Sequence, residues 1–137
     1  MGEENTSALE FSLGDGRYCV AISEVEEIVD AEEEITPVPN AEPHVEGVVD
    51  IRGETTTIVD PATVLDLEAS TTGRRIILLS EVQSTGLLID DVHQVLSVDP
   101  EELDDSTATE TTRGVLRKDD RFVIWIEPET LVDTRET

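Results

Sequence analysis

The chain repeats itself. Displaced by 67 positions, its first half aligns with its second without a gap, so that Gly47 falls on Gly114 and Pro61 on Pro128. Leu9 and Phe11 fall on Ile76 and Leu78, and Val20 on Leu87. Ile22, Val25, Ile28 and Val29 fall on Ile89, Val92, Val95 and Leu96. Val48 and Val49 fall on Val115 and Leu116, and Val59, Asp60, Thr63, Leu65 and Asp66 on Ile126, Glu127, Thr130, Val132 and Asp133. Apolar coincidences are common in a β-rich chain, but two glycines and two acid-Pro-x-Thr helix starts in one register are not. A unit of roughly 60 residues buries little core alone. The expected organisation is therefore one domain over 8–133, built from two subdomains of one design, about 8–70 and 75–133, packed on each other. Positions 1–7 and 134–137 are read as flexible tails.

Most segments read as strands. Leu9, Phe11 and Leu13 alternate with Glu10 and Ser12; Gly14-Asp15-Gly16 supplies a hairpin turn; Tyr18, Val20 and Ile22 then share one face. Ser23 reads as the N-cap of one helical turn near Glu24-Val25-Glu26, before Ile28-Val29 extends again. Prolines 37, 39 and 43 forbid regular structure over about 36–44. Strands follow at 45–51 and 54–59 around a turn at Arg52-Gly53, then at 75–80, 85–89, 92–98, 113–118 and 121–126. Asp60-Pro61 and Glu127-Pro128 each open a short helix, acid at the N-cap and Pro in the first turn. Positions 99–112, acidic and Thr-rich, read as a solvated loop with one helical turn from Pro100. The class is all-β, with five strands and a terminal short helix in each half.

Charge narrows the function classes. The chain has 33 acids against 9 bases, a formal net charge of -24, and Lys118 is its one lysine. Nucleic acid binding needs clustered Lys and Arg, and an acidic membrane leaflet would repel this surface. High net charge favours disorder, but 37% of the residues are hydrophobic and they are patterned. The better reading is a folded protein from a high-salt cytoplasm, where a Debye length of about 3 Å at molar salt screens acid–acid repulsion. A single cysteine, Cys19, excludes an intrachain disulfide and fits a reducing cytosol. The acidic start lacks the features of a secretory signal, and no run approaches the ~20 apolar residues of a membrane span.

Residues present in both halves are structural candidates; residues present in one are functional candidates. Gly47 and Gly114 match and read as a strand start or a close backbone approach. The turn Ile51-Arg52-Gly53-Glu54 has Lys118-Asp119-Asp120-Arg121 as its counterpart, so the scaffold does not require Arg-Gly there. An Arg at such a corner can grip a partner carboxylate bidentately, or simply offset local acid charge. Glu26-Glu27 stands against His93-Gln94 between apolar residues that do match.

Those two segments carry a resemblance. Val25-Glu26-Glu27-Ile28, then Thr36-Pro37-Val38-Pro39, Gly47-Val48-Val49-Asp50-Ile51-Arg52-Gly53, Ile58-Val59-Asp60 and Gly86-Leu87-Leu88-Ile89-Asp90-Asp91-Val92 resemble, in order and spacing, the CheW family. The likeness covers about 9–132, with Asp50 where Asn is usual and Thr55-Thr56-Thr57 in place of a more apolar strand start. It implies two packed SH3-like β-barrels, no cofactor, and a non-enzymatic chemotaxis adaptor joining the cytoplasmic tips of chemoreceptors to the regulatory domain of the histidine kinase CheA. It further implies a cytoplasmic protein at receptor arrays; with the acidity, the expected source is a halophilic archaeon. The resemblance places Val25, Gly47, Val48, Asp50, Ile51, Arg52 and Gly53 at a receptor-binding groove between the subdomains, with Glu27 and Ile28 as weaker candidates for the kinase. A CheW-fold piece of a larger protein, a CheV-like coupling protein and a generic β-barrel binding module stay open. The chain's own start, and its end soon after Val132, favour a stand-alone protein.

Little points to catalysis. His44 and His93 have no ligand spacing and read as a loop and a surface-strand histidine. No base adjoins Cys19 in sequence, and no Gly-rich phosphate loop precedes a Lys. With so many acids, carboxylate spacing carries no information. Trp125 reads as packed at an interface or subdomain boundary.

Overall fold

The computed structural model describes residues 6–31, 35–65, 73, 75–80, 82 and 84–132, with backbone only for 131 and 132. Positions 1–5 and 134–137, and the repeat partners Asp66 and Asp133, lie outside these residues. Among the described residues ten strands run in chain order as β1 (Thr6–Leu13), β2 (Gly16–Ala21), β3 (Val25–Asp30), β4 (Val45–Ile51), β5 (Glu54–Val59), β6 (Arg75–Leu79), β7 (Thr85–Ile89), β8 (Asp91–Val98), β9 (Thr112–Lys118) and β10 (Arg121–Ile126). Short helices α1 (Pro61–Val64) and α2 (Pro128–Val132) follow β5 and β10. Asp60 caps α1 as expected, its side chain accepting the Ala62 N–H at 3.0 Å. Thr6 and Ser7, expected in a tail, begin β1.

The strands form two five-stranded sheets, ordered β8-β1-β2-β10-β9 and β3-β6-β7-β5-β4. Under the repeat these are the same order. Neither sheet, however, comes from one half: β1 and β2 join β8, β9 and β10, while β6 and β7 join β3, β4 and β5. The boundaries 8–70 and 75–133 thus describe the repeat, not the sheets. The connectors explain the exchange. β3 and β7 both pair antiparallel with β6, so strands in those two places run parallel, one strand apart. Keeping β2 and β3 in one sheet would need a parallel crossover of about a dozen residues. Only Ile22–Glu24 separates β2 from β3, and only Asp90 separates β7 from β8, so the chain steps to the other sheet.

The exchanged strands meet in matching register, Tyr18 opposite Ile124 and Thr85 opposite Thr57. The gapless alignment fails in one place. Cross-strand partners put Ala8, Leu9 and Glu10 in the places of Ile76, Ile77 and Leu78, one residue beyond the expected displacement.

Three apolar clusters result. The central one joins the sheets through Leu9, Phe11, Tyr18 and Val20 on one side and Val59, Ile77, Leu79, Leu87 and Ile89 on the other. A second fills the first sheet around Ala8, Cys19, Leu96, Leu116 and Trp125, and a third fills the other around Val49, Ile58, Ile76 and Leu78. Trp125 is therefore inside one sheet rather than at the boundary, with the Arg113 guanidinium 5.2 Å from its ring centroid. Burial, with the Glu10 charge adding to it, pushes the Cys19 thiol up to about 12, which suits an inert packing residue.

Because β1 and β2 are covered on both faces, simple alternation misleads there. Glu10, on the polar side of its strand, is 0% exposed. Ile22 does not continue the β2 face; it opens a 3₁₀ turn over Ile22–Glu24 and is exposed. That turn has Ala21 at its N-cap and no side-chain cap, so Ser23 does not play the expected part. The 99–112 loop contains the expected turn at Pro100–Glu102, closed by an Asp99/Glu102 capping box, and a second at Asp105–Thr107.

Both matched glycines sit at matched bulges. Gly47 (φ 152°) and Gly114 (φ 151°) interrupt the β4/β5 and β9/β10 ladders at repeat-related places. A Cβ on Gly47 would overlap the Thr36 carbonyl, which accepts the Val48 N–H at 2.9 Å; a Cβ on Gly114 would meet the Asp104 carbonyl. Gly47→Val is expected to cost about 3 kcal/mol from strain and overlap, read as a lowered urea midpoint in molar KCl. Gly53→Ala, with nothing within 4 Å, should cost about 1 kcal/mol for its φ of 87° alone.

Candidate functional site

β3 and β4 are the two edges of the second sheet, and the candidate residues gather where those edges approach. Arg52, at the β4–β5 turn, donates from both terminal nitrogens to the Glu27 carboxylate on β3, Nη1 to Oε2 at 3.1 Å and Nη2 to Oε1. The side chains are 65% and 40% exposed. The receptor candidate Arg52 and the kinase candidate Glu27 are thus bound to each other. Val25 and Ile28, also on β3, are half-buried and pack on the central cluster. Ile51 packs on the third cluster, Val48 is half-buried and hydrogen-bonded to Thr36, and Asp50 and Gly53 are exposed. Gly47 is buried and shapes the bulge.

The turn itself does not call for arginine. Arg52 and Gly53 have φ of 53° and 87°, and their counterparts Asp119 and Asp120 have 51° and 67°. Both are left-handed pairs of the kind a tight hairpin needs, which Gly, Asn and Asp adopt more readily than Arg. Arg52 is held there against its backbone preference, which fits a residue retained for what its side chain reaches. Asp50 accepts the Gly53 N–H at 2.7 Å, so the carboxylate oxygen closes the turn as an Asn oxygen would.

Beside Arg52 opens a recess of about 280 Å³, lined by Glu26, Ile51, Glu54, Leu78, Ser84 and Thr85 among others. Its repeat-related frame in the first sheet is filled from within. There Glu10 occupies the place of Leu78 and is bound by Arg17 at 2.7 Å, Gln94 at 2.9 Å and Arg121 at 2.7 to 3.0 Å. Burial pushes the Glu10 carboxyl up, but the hydrogen bonds from Arg121, Gln94 and Arg17 outweigh it and hold the group at about 2. In the second sheet the places of Arg17 and Arg121 are taken by Ser84 and Glu54, which hydrogen-bond to each other. One frame is locked by an internal ion cluster; its twin is open, polar and rimmed by Arg52.

A separate cleft of about 540 Å³ lies between the loops at 42–44 and 109–111, where the two sheets meet. None of the nine candidate residues lines it. Gathering at the closing seam of one sheet, rather than in that cleft, follows from β3 and β4 both being edge strands of the same sheet. Sequence reasoning missed Glu54, beside the Arg52-Gly53 turn at the start of β5, and also Leu78 and Ser84, which the exchange of β6 and β7 brings to the recess.

Residues 7–136 match the family profile described as the CheW-like domain. A probable chemotaxis protein CheW of Rhizobium etli is 30% identical over all of this chain and 94% of its own length. The chemotaxis protein CheW of Rhizobium meliloti is 31% identical over 92% of this chain and 86% of its own. The solved scaffolding protein TtCheW of Thermoanaerobacter tengcongensis superposes with a TM-score of 0.80 at 25% identity, covering 90% of this chain and 89% of that one.

Proposed function

The chain belongs to the CheW-like domain family, and on that premise we propose that it is a chemotaxis coupling adaptor, a scaffold rather than a catalyst, that joins chemoreceptor tips to the regulatory domain of the kinase CheA. No helix among the described residues is long and apolar enough to cross a membrane. In this reading the protein works in the cytoplasm and reaches the membrane through its receptors. The receptor face is the seam of β3 and β4 with the adjoining recess: Val25, Val48, Asp50, Ile51, Arg52 and Gly53, with Gly47 setting the backbone beneath them. Glu27 belongs to that face as the partner of Arg52, and Ile28 to the packing under it.

The observation that carries this assignment is the exposed Arg52–Glu27 pair beside an open frame. An exposed ion pair contributes little to stability, so its geometry is available to a partner carboxylate or amide that competes for the same guanidinium. Arg52→Glu is expected to weaken binding to a receptor cytoplasmic fragment by about tenfold to a hundredfold, ~1.4 to 2.8 kcal/mol, with the circular dichroism spectrum in molar KCl unchanged. Unchanged affinity would remove Arg52 from the receptor face. Loss of the folded spectrum would make Arg52 a structural residue.

A further inference from the structure

The cleft between the loops at 42–44 and 109–111 is built by the repeat. Each loop is pinned in the same way: the His44 carbonyl accepts the Asp60 N–H at 2.8 Å, and at the related place the Thr111 carbonyl accepts the Glu127 N–H at 2.7 Å. Glu42 and His44 line one wall, Thr109, Glu110 and Thr111 the other, and Val64 of α1 adds an apolar surface. His44 is 7% exposed, yet its imidazole has no hydrogen-bond or ion partner among the described residues. Its counterpart is Thr111, so the repeat does not require a histidine here. Neither ring nitrogen is among the fully buried side-chain atoms left without a partner, so the imidazole opens onto the cleft it lines, where a bound group can reach it.

Charge decides what that group is. Each loop brings a carboxylate, Glu42 and Glu110, on a chain of net charge -24. An anion would be repelled. A metal ion is poorly served, because no three His, Cys, Asp or Glu side chains among the described residues are grouped to hold one. A cation with an apolar stem fits every wall. We propose that this cleft binds an organic cation, the ammonium or guanidinium of a lysine- or arginine-like group, with its stem against Val64 and its head shared by Glu42, Glu110 and the free ring nitrogen of His44. Neutral imidazole accepts one hydrogen bond at its unprotonated nitrogen, and the threonine hydroxyls accept others. The site is separate from the Arg52 seam, so the inference stands apart from the adaptor reading.

The chain has two histidines, and His93, exposed on β8, is the internal control. Imidazole nitrogen–proton spectra in molar KCl are recorded while arginine amide, or its uncharged isostere citrulline amide, is added at constant ionic strength. The expected result is a saturable shift at His44 alone, with citrulline amide at least tenfold weaker. Glu42→Gln with Glu110→Gln should lower the affinity for arginine amide about tenfold more. Absence of a saturable His44 shift, equal responses to the two amides, or matching shifts at His93 would each overturn the proposal; the wild-type titration decides these without the variants. A blocked tripeptide, acetyl-Ala-Arg-Ala-amide, separates the sources. Tighter binding than arginine amide upholds the site as one for a partner chain's side chain; weaker binding upholds it as one for a free small cation.

Discussion

Glu10→Ala is expected to destabilise the fold by about 3 kcal/mol. Removing one partner of a buried ion cluster leaves the others uncompensated and typically costs ~3–5 kcal/mol. The lower end applies because Arg17 and Arg121 keep 34% and 29% of their side chains exposed and can turn to water. The position matters as much as the charge. Glu10 on β1 binds Arg17 on β2, Gln94 on β8 and Arg121 on β10, so one carboxylate ties two strands of the first half to two of the second. Urea unfolding in molar KCl gives the number. The pH dependence gives a second check. Glu10 is held at about 2, below its ordinary 4.5, so its contribution is complete above about pH 4.5 and is lost as pH falls toward 2. The stability gap between wild type and Glu10→Gln should therefore be widest near pH 6 and shrink to nearly nothing at pH 2. Comparing the two proteins cancels the titration of the other acids. A gap that is constant with pH would mean the cluster does not depend on the charge.

Transfer from molar KCl to dilute buffer is expected to have the second large effect. Net charge of -24 on 137 residues is a self-repulsion that salt hides: the Debye length lengthens from about 3 Å at 1 M to about 10 Å at 0.1 M. Few ion pairs offset it, because the bases are few and Arg17 and Arg121 both serve Glu10. The melting temperature should fall by on the order of 10 °C, or ~2–3 kcal/mol, with partial loss of the β-sheet signal in circular dichroism. A melting temperature that does not move with KCl would show that the acids are spaced widely enough to ignore one another.

Much of the architecture could be read from residue order. Hairpin turns at Gly14-Asp15 and Arg52-Gly53, the Asp60-Pro61 helix start and the alternation of β5 and β10 are local signals, and the strands lie where those signals put them. What was hidden is what depends on distant contacts. Glu10 sits in an apparently amphipathic strand, and only the exchange of β1 and β2 into the other half's sheet covers its polar side. Its partners lie 7, 84 and 111 residues away. A signal for the exchange was present: a three-residue connector between β2 and β3 is too short for a same-sheet crossover. The site divides in the same way. The Arg52 turn and the Glu27 segment were legible as features of one half only, but their pairing across 25 residues needs both edges of a five-stranded sheet to curl together. The recess needs β6 and β7 as well. His44 read as an ordinary loop histidine because nothing in its neighbours reveals the second loop, 65 residues further on at Thr109, that closes over it.

The adaptor reading is tested most directly by mixing the full chain with a receptor cytoplasmic fragment and the CheA regulatory domain of the same organism in molar KCl, and following all three through size exclusion. One peak containing all three is expected, from which the receptor fragment is lost with Arg52→Glu while the kinase domain remains. Three separate peaks, with the chain shown by circular dichroism to be folded in that salt, would contradict it.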